Sequence, residues 1–322
     1  MASQSNVEEK CGLPGLISAR DLGGQVNSCA ALMEWVREHF GQVMERLRRD
    51  GAILFRGFSI EGAADFDRLA SLFCPARGAY LGGNSPRTKV QGGVFTATEY
   101  ERSVKISLHN EASYSRQMPR LILFYCEVAP VDRGQTPLAD CRNILRRIAP
   151  EVRARFARQR IKYINNLHSG YGFGRSWQRV FQTEDKKQVE QWLEDNGYEY
   201  SWKSDGGLRT SIVAEAIMKH PETNEEVWAN QAEQWHLSSL PPQTRKDLLA
   251  AFKTEENLPH HASFADGAPL METDLEHIRQ AIDEQERVFQ WTERDVLLCD
   301  NYLVAHGRQP FTGERRILVT MG

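Results

Sequence analysis

The chain has 322 residues and a formal net charge of −3, and acidic and basic side chains are mixed along it, which argues against a nucleic-acid or anionic-membrane partner. No apolar run reaches membrane-spanning length, the first ten residues lack the basic and apolar regions of a signal peptide, and the six cysteines include no Cys-x-x-Cys pair. We therefore expect a cytoplasmic protein with reduced thiols, folded as a single domain over residues 1–322, with residues 1–12 flexible.

Hydrophobic periodicity and turn residues predict the following elements in chain order. They are a helix at 31–49, a buried strand at 52–58, a helix at 63–74, a Gly/Pro/Asn-rich loop at 75–93, strands at 103–108, 121–128 and 138–140, a helix at 143–159, an irregular segment at 162–178, a helix at 186–195, a strand at 226–231, helices at 242–252 and 272–288, and strands at 296–299 and 316–320. Short strands separated by long loops predict a mostly β fold with α insertions. Its core would be a double-stranded β-helix, the cupin-like jelly roll, flanked by helices.

Two histidines and one carboxylate form the first candidate site. His109 and Glu111 follow the alternating run 103–108, and side chains at positions i and i+2 of a strand point to the same face. His306, near the C-terminus, would supply a third ligand. Two histidines and one carboxylate on one face of a metal leave the opposite positions open, an arrangement that suits iron(II) in oxygenases.

Each of these residues also has an ordinary interpretation. His109 alone is as readily a core histidine hydrogen-bonded to backbone. Glu111 could be a solvated strand residue, and His306 a turn histidine, since Gly307 follows it. The context of the three residues, rather than any one of them, favours the metal site.

A second candidate site would hold a carboxylate. Arg316 opens the apolar run 317–319, so its strand should be buried on at least one face. An arginine fork that points into a pocket binds a carboxylate in bidentate fashion. Thr136 has a hydroxyl that could donate to the same carboxylate. The ordinary interpretations are a solvated charged cluster at 314–316 and a turn threonine.

Motifs spread over nearly the whole chain resemble those of one family. They are GAILFRGF at 51–58, FTATEY at 95–100, HNE at 109–111, GQTPLAD at 134–140, VWANQ at 227–231, DNYLVAHGR at 300–308 and GERRILV at 313–319. Together they resemble the taurine-dioxygenase-like, clavaminate-synthase-like group of iron(II)/2-oxoglutarate oxygenases. The resemblance is greatest to the subgroup that contains the aspartyl hydroxylase of syringomycin biosynthesis.

The resemblance implies that His109, Glu111 and His306 hold iron(II), and that Thr136 and Arg316 hold the distal carboxylate of 2-oxoglutarate. The implied reaction uses O2 to hydroxylate an unactivated C–H bond and releases succinate and CO2. Desaturation and epoxidation use the same ligands and remain open. The implied substrate is an amino acid or an amino-acid derivative, free or tethered to a carrier protein, in the biosynthesis of a natural product such as an antibiotic. A homo-oligomer is compatible with the sequence.

Two other functions are considered. Two histidines and a glutamate also bind catalytic zinc, so a zinc hydrolase is an alternative, but it has no need of Arg316 and Thr136. A metal-free jelly-roll binding protein would have no need of all three ligands. The substrate pocket is expected to draw on segments 87–100, 105–114 and 163–177, and the loop 75–93 could form a rim around it.

Overall fold

A computed structural model describes residues 12–24, 26–76, 82 and 87–322. The flexible terminus expected at residues 1–12 therefore lies, except for Gly12, outside the described residues. Much of the loop expected at 75–93 also lies outside them. In the described part of the chain, no helix is long and apolar enough to cross a membrane, and the five cysteines found there are buried free thiols.

The described residues form helices and strands that alternate along the chain. The helices are α1 (Cys29–Glu38), α2 (Phe40–Asp50), α3 (Ala63–Ala70), α4 (Cys141–Arg147), α5 (Pro150–Gln159), α6 (Trp177–Phe181), α7 (Lys186–Asp195), α8 (Ala232–Trp235), α9 (Pro242–Phe252) and α10 (Glu272–Gln285). The strands are β1 (Gly15–Ser18), β2 (Ala52–Arg56), β3 (Lys89–Gln91), β4 (Val94–Thr96), β5 (Ile106–His109), β6 (Leu121–Val128), β7 (Asp132–Arg133), β8 (Leu138–Asp140), β9 (Ile161–Leu167), β10 (Glu199–Trp202), β11 (Leu208–Ala214), β12 (Met218–Lys219), β13 (Glu226–Val227), β14 (His260–Phe264), β15 (Val296–Asp300), β16 (Val304–Arg308), β17 (Phe311–Thr312) and β18 (Arg316–Met321).

A seven-stranded sheet, in the order β1-β2-β15-β6-β18-β4-β3, carries apolar side chains on both faces. Successive residues of a strand point to opposite faces. Along β18, Leu318 therefore joins the core beneath helices α1–α3. Its neighbours Ile317 and Val319 join the core on the other side of the sheet. Because both faces are covered, this sheet is the wall between two hydrophobic cores.

Smaller sheets cover the inner face of that wall. One is three-stranded, in the order β5-β16-β8, and another is four-stranded, in the order β10-β11-β9-β14. Inner-face residues of the large sheet share one core with residues of β8, β9 and β14. Mixed sheets facing one another across a core, with helices outside, confirm the expected jelly-roll fold.

Several boundaries differ from the expected ones. The helix expected at 31–49 is two helices separated at His39, and the one expected at 143–159 is interrupted before Pro150, which begins α5. A proline is tolerated in the first turn of a helix but not in its interior, so the chain restarts a helix there. The expectation that 162–178 is irregular was wrong at both ends of the segment, where β9 covers 162–167 and α6 begins at Trp177, and it holds for 168–176.

Asp300 fixes the corner between β15 and β16. Its side chain is fully buried and accepts hydrogen bonds from Nε2 of His220 at 2.9 Å, from Nε of Arg120 at 3.4 Å and from the backbone N–H of Tyr302 at 3.1 Å. Charged partners and a backbone donor offset the cost of burying the carboxylate. Strand β16, which carries His306, begins directly after this corner.

We predict that Asp300→Ala lowers the free energy of unfolding by about 3 kcal/mol, because removing one member of a buried ion pair leaves its partners uncompensated. Urea unfolding measures the change. Asp132→Ala, at an exposed position on β7, is the matched control and should change the free energy by less than about 0.5 kcal/mol. Equal effects of the two substitutions would contradict this role for Asp300.

Candidate metal and anion site

Strand pairing brings the two histidines together. β16 runs antiparallel to β5, and His306 lies directly opposite His109, with 4.7 Å between the ring centroids. Gly307 permits this close approach, because a Cβ at that position would lie 2.6 Å from the carbonyl oxygen of Ile106. The glycine is therefore a strand residue required by packing, and His306 is not a turn histidine.

Glu111 reaches the histidines from a turn rather than from the strand. β5 ends at His109, and Glu111 lies in the turn that follows. Asn301 holds this turn: its Oδ1 accepts from the backbone N–H of Glu111 at 2.8 Å, and its Nδ2 donates to the carbonyl of Glu111 at 2.9 Å. The expectation that His109 and Glu111 share a strand face was wrong, since a side-chain clamp sets the position of Glu111.

The three donor groups lie together, as the sequence predicted. Ligand atoms of His109, Glu111 and His306 all lie within 4.8 Å of one another. Nδ1 of His109 contacts the carbonyl oxygen of Ser107 at 2.8 Å, which leaves Nε2 for a metal. Hydrogen bonds of this kind fix the tautomer of metal-binding histidines.

The electrostatics of the cluster also fit a divalent cation. Burial, with the neighbouring His109 and Arg87, lowers the pKa of His306 well below its usual range. The ring is therefore neutral and offers a nitrogen lone pair, the form that binds metals. Nδ1 of His306 is buried and has no hydrogen-bond partner among the described residues. Two imidazoles and a carboxylate suit iron(II).

Arg315, rather than Arg316, lies at the other end of the cleft. Nε of Arg315 donates to the carbonyl of Gly134 at 2.7 Å, and Nη2 donates to Oγ1 of Thr136 at 3.3 Å. Oγ1 of Thr136 also accepts from Nε1 of Trp291 at 3.0 Å. With two donors already directed at this oxygen, the hydroxyl hydrogen of Thr136 remains available to a ligand in the cleft.

The expectation that Arg316 points into the pocket was wrong. Its side chain is about half exposed and is not among the residues that line the cleft, and its Nε lies 2.6 Å from Oε2 of Glu127. A register shift between Arg316 and Ile317, opposite Glu127 of β6, lies at this end of the strand. The run 317–319 is apolar throughout, because β18 is buried on both faces. It therefore carries no alternation from which the inward-facing arginine can be identified.

The cleft contains positive charge that no acidic side chain of the described residues balances. Arg308 is buried and its guanidinium donates to four backbone carbonyls, those of Thr98, Tyr100, Glu101 and Val104. Its Nε has no hydrogen-bond partner among the described residues. Burial and the nearby charge of Arg308 lower the pKa of Arg315 to about 10. Within the described part of the chain, neither arginine pairs with a carboxylate, so this end of the cleft favours an anion.

One cleft connects the two histidines of the cluster with Thr136, Arg308 and Arg315. It has an empty volume of about 400 Å³, and its lining residues are Arg87, Ala97, Thr98, Ile106, His109, Phe124, Thr136, His306, Gly307, Arg308, Arg315 and Ile317. Segments 87–100 and 105–114 contribute to it, as expected. Segment 163–177 does not contribute to it, because Tyr163 is buried in β9 and contacts Tyr114 and Trp235 in the core.

Sequence reasoning missed Arg87, Asn301, Arg308 and Arg315 as site residues. Asn301 directly follows β15, and a polar side chain at a corner between two buried strands is a signal for a buried clamp. Arg308 lies two residues beyond His306, so strand alternation could have placed it on the same face. Arg87 lies in an irregular segment whose spacing gives no such signal.

Comparisons with known proteins place this geometry in context. The profile of the Taurine catabolism dioxygenase TauD, TfdA family matches residues 15–321. The chain is 38% identical over 294 residues to the dapdiamide synthesis protein DdaC of Enterobacter agglomerans, a match that covers 91% of this chain and 88% of DdaC. It is 32% identical over 287 residues to the clavaminate synthase-like protein At3g21360 of Arabidopsis thaliana, covering 85% of this chain and 82% of that protein.

Solved structures support the fold. Asparagine oxygenase in complex with iron(II), hydroxyasparagine and succinate superposes with a TM-score of 0.55 over 91% of this chain and 82% of that one, at 13% sequence identity. At this identity the likeness concerns the fold.

We predict that Asn301→Ala weakens iron(II) binding about 10- to 100-fold, the usual effect of removing a group that orients a metal ligand. The physical reason is that the turn carrying Glu111 loses both hydrogen bonds to Asn301. Anaerobic iron(II) titration, followed by equilibrium dialysis, measures the change.

Asn257→Ala is the matched control for that titration, because Asn257 is exposed and its side chain bonds only the carbonyl of Phe252 among the described residues. It should leave iron(II) binding unchanged. An Asn301→Ala protein that folds and binds iron(II) like the native protein would refute the clamp.

Proposed function

The chain belongs to the TauD, TfdA family and is therefore an iron(II)- and 2-oxoglutarate-dependent dioxygenase, and we propose that it hydroxylates an unactivated C–H bond of an amino-acid-derived substrate. The observation that supports the assignment of roles is that both histidines of the His-Glu-His cluster line the same cleft as two arginines that have no carboxylate partner among the described residues. The first fits the metal and the second fits the dianionic co-substrate.

His109, Glu111 and His306 would hold the iron. When bound, iron and 2-oxoglutarate supply the oxidative chemistry, in which O2 is consumed and succinate and CO2 are released. The two imidazoles and the carboxylate would supply three ligands and would leave other coordination positions to the co-substrate and O2. Asn301 holds the backbone at Glu111, and the β5–β16 pairing sets the two histidines opposite each other, so the fold itself would bring the ligands together.

Arg315 and Thr136 would hold the distal carboxylate of 2-oxoglutarate. The guanidinium of Arg315 is anchored by the carbonyl of Gly134, and the hydroxyl of Thr136 remains able to donate. Arg308 contributes a second positive charge behind Arg315. This assignment transfers the role expected of Arg316 to its neighbour.

The apolar part of the cleft would shield the reaction from water. Ile106, Phe124 and Ile317 line it between the metal and anion ends. A water-poor site protects reactive species from side reactions and leaves the bound substrate as the available reductant. Hydroxylation is the outcome we propose. Desaturation and epoxidation are alternatives with the same ligands, and product mass separates them.

A groove outside the cleft favours a substrate that extends to the protein surface. This groove shares Ala97, Thr98, Arg308, Arg315 and Ile317 with the cleft. Its other lining residues are the buried Phe311 and, nearer the surface, Thr96, Glu99, Tyr100, Arg102 and Arg316. The guanidinium groups at its outer end could meet the phosphate of a carrier-protein arm. We propose that a carrier-tethered amino-acid intermediate of natural-product biosynthesis is the preferred form. DdaC, named for dapdiamide synthesis, is consistent with such a pathway role.

We predict that Arg315→Met weakens 2-oxoglutarate binding by at least about 100-fold, while Arg316→Met changes it by less than about threefold. Charged hydrogen bonds of this kind are worth about 1.5–3 kcal/mol, and about 1.4 kcal/mol corresponds to a tenfold change in affinity. Titration of the iron–2-oxoglutarate charge-transfer absorbance without oxygen measures both variants.

The two variants are matched, because each removes one arginine from the same strand end. If Arg316→Met is the variant that weakens 2-oxoglutarate binding, the co-substrate carboxylate pairs with Arg316 rather than with Arg315. If neither variant weakens 2-oxoglutarate binding, the proposed position of the anion site is wrong. Iron(II) binding, measured separately, should survive in both because no metal ligand is altered.

We predict that the protein converts a carrier-tethered amino acid to a product heavier by one oxygen atom, detected by mass spectrometry against free and tethered amino acids. Arg102→Glu reverses a charge at the groove. It should therefore raise the KM for the tethered amino acid at least about threefold and leave the KM for the free amino acid unchanged. Equal KM values for both forms in the native enzyme would contradict the preference for a tethered substrate. A zinc hydrolase would show no oxygen uptake on addition of 2-oxoglutarate.

A further inference from the structure

Arg87 forms a buried ion pair with the metal-binding carboxylate. Its Nη2 donates to Oε2 of Glu111, and both side chains are only 4% exposed. Arg87 also lines the cleft together with His109 and His306. A guanidinium at this position is not one of the metal donors, so its function has to be found in what it does to Glu111.

The contact constrains how Glu111 can bind a metal. A carboxylate has two oxygens and can bind a cation through one or through both. A guanidinium donor that occupies Oε2 holds the carboxylate in one orientation and leaves Oε1 as the oxygen without this donor. The backbone of Glu111 is fixed independently by Asn301. Glu111 is thus held both at its backbone, by Asn301, and at Oε2, by Arg87.

The number of carboxylate oxygens bound to the metal determines how many coordination positions remain for 2-oxoglutarate and O2. With one oxygen from Glu111 and one nitrogen from each histidine, a whole face of an octahedral metal stays open. That face is needed for a chelating 2-oxo acid together with O2. A second carboxylate oxygen would occupy part of it. An arginine that prevents bidentate binding would therefore preserve the open face.

We propose that Arg87 is a positioning residue that keeps Glu111 monodentate and so reserves a coordination position for the co-substrate. This inference rests on the proposed function of the site. Arg87, two residues before β3, would thereby help to determine the geometry of the metal site. Arg87 would not react and would not bind the metal, and the proposed effect on coordination is exerted through its contact with Glu111.

Removal of Arg87 is expected to affect the binding of iron(II) and the binding of 2-oxoglutarate differently. A positive charge beside the metal position opposes cation binding, so its removal should not weaken the affinity for iron(II). The freed carboxylate can then bind through both oxygens and compete with 2-oxoglutarate. If Arg87 only supported the fold, its substitution would instead lower the affinity for iron(II) and for 2-oxoglutarate together.

The experiment compares native protein with Arg87→Met and Arg87→Lys, using iron(II) and 2-oxoglutarate without oxygen. For Arg87→Met we expect iron(II) affinity equal to or higher than native, 2-oxoglutarate affinity at least about tenfold lower, and near-infrared magnetic circular dichroism of the iron showing one additional protein ligand. Arg87→Lys keeps a donor that can reach one oxygen and should give intermediate values. Arg158→Met, which removes an exposed arginine in the last turn of α5, is the matched control and should resemble native protein in all three measurements.

Unchanged ligand-field spectra and 2-oxoglutarate affinity in Arg87→Met would overturn the proposal. Weaker 2-oxoglutarate binding with an unchanged number of iron ligands would also overturn it, because Arg87 would then act only as a remote charge. If Arg87→Met does not fold, Arg87→Lys decides between the same outcomes. A native protein that binds iron(II) but gives no signal with 2-oxoglutarate would instead contradict the proposed function.

Discussion

The antiparallel pairing of β5 with β16 is the interaction on which the site depends. It sets His109 opposite His306, although the two residues are far apart in the sequence. The pairing is possible because Gly307 has no side chain to meet the carbonyl of Ile106. It is held at its end by the buried corner at Asp300 and Asn301, where one side chain anchors the strand connection and the next clamps the Glu111 turn. Fold stability and metal geometry therefore depend on the same few residues.

Electrostatics then distinguish the two ends of the cleft. At one end, a carboxylate and two imidazoles favour a cation, and Arg87 contacts that carboxylate. At the other end, Arg308 and Arg315 are placed close enough that burial and mutual repulsion lower the pKa of Arg315. A buried cation without a counter-ion is costly, so proteins normally pair it. Here an anionic co-substrate would supply the missing charge, which couples its binding to the stability of the site.

Much of the architecture could be predicted from the sequence because its signals are local. The run 121–128 is a strand with the expected bounds, and α7 and α9 begin and end where their caps and periodicity predicted. The proximity of His109, Glu111 and His306 was also predicted, on motif resemblance and residue type. The arginine was misassigned because a strand buried on both faces has no polar–apolar alternation to fix its phase. Arg87 could not be identified, since only tertiary contact brings it to Glu111.

The central claim is that one cleft holds iron(II) on His109, Glu111 and His306 and the distal carboxylate of 2-oxoglutarate on Arg315. A crystal structure of the protein grown without oxygen, with iron(II) and 2-oxoglutarate bound, tests it most directly. The account predicts the metal within about 2.0–2.2 Å of all three ligands and the carboxylate within hydrogen-bond distance of Arg315 and Thr136. A metal bound elsewhere, or a co-substrate carboxylate paired with Arg316, would contradict it.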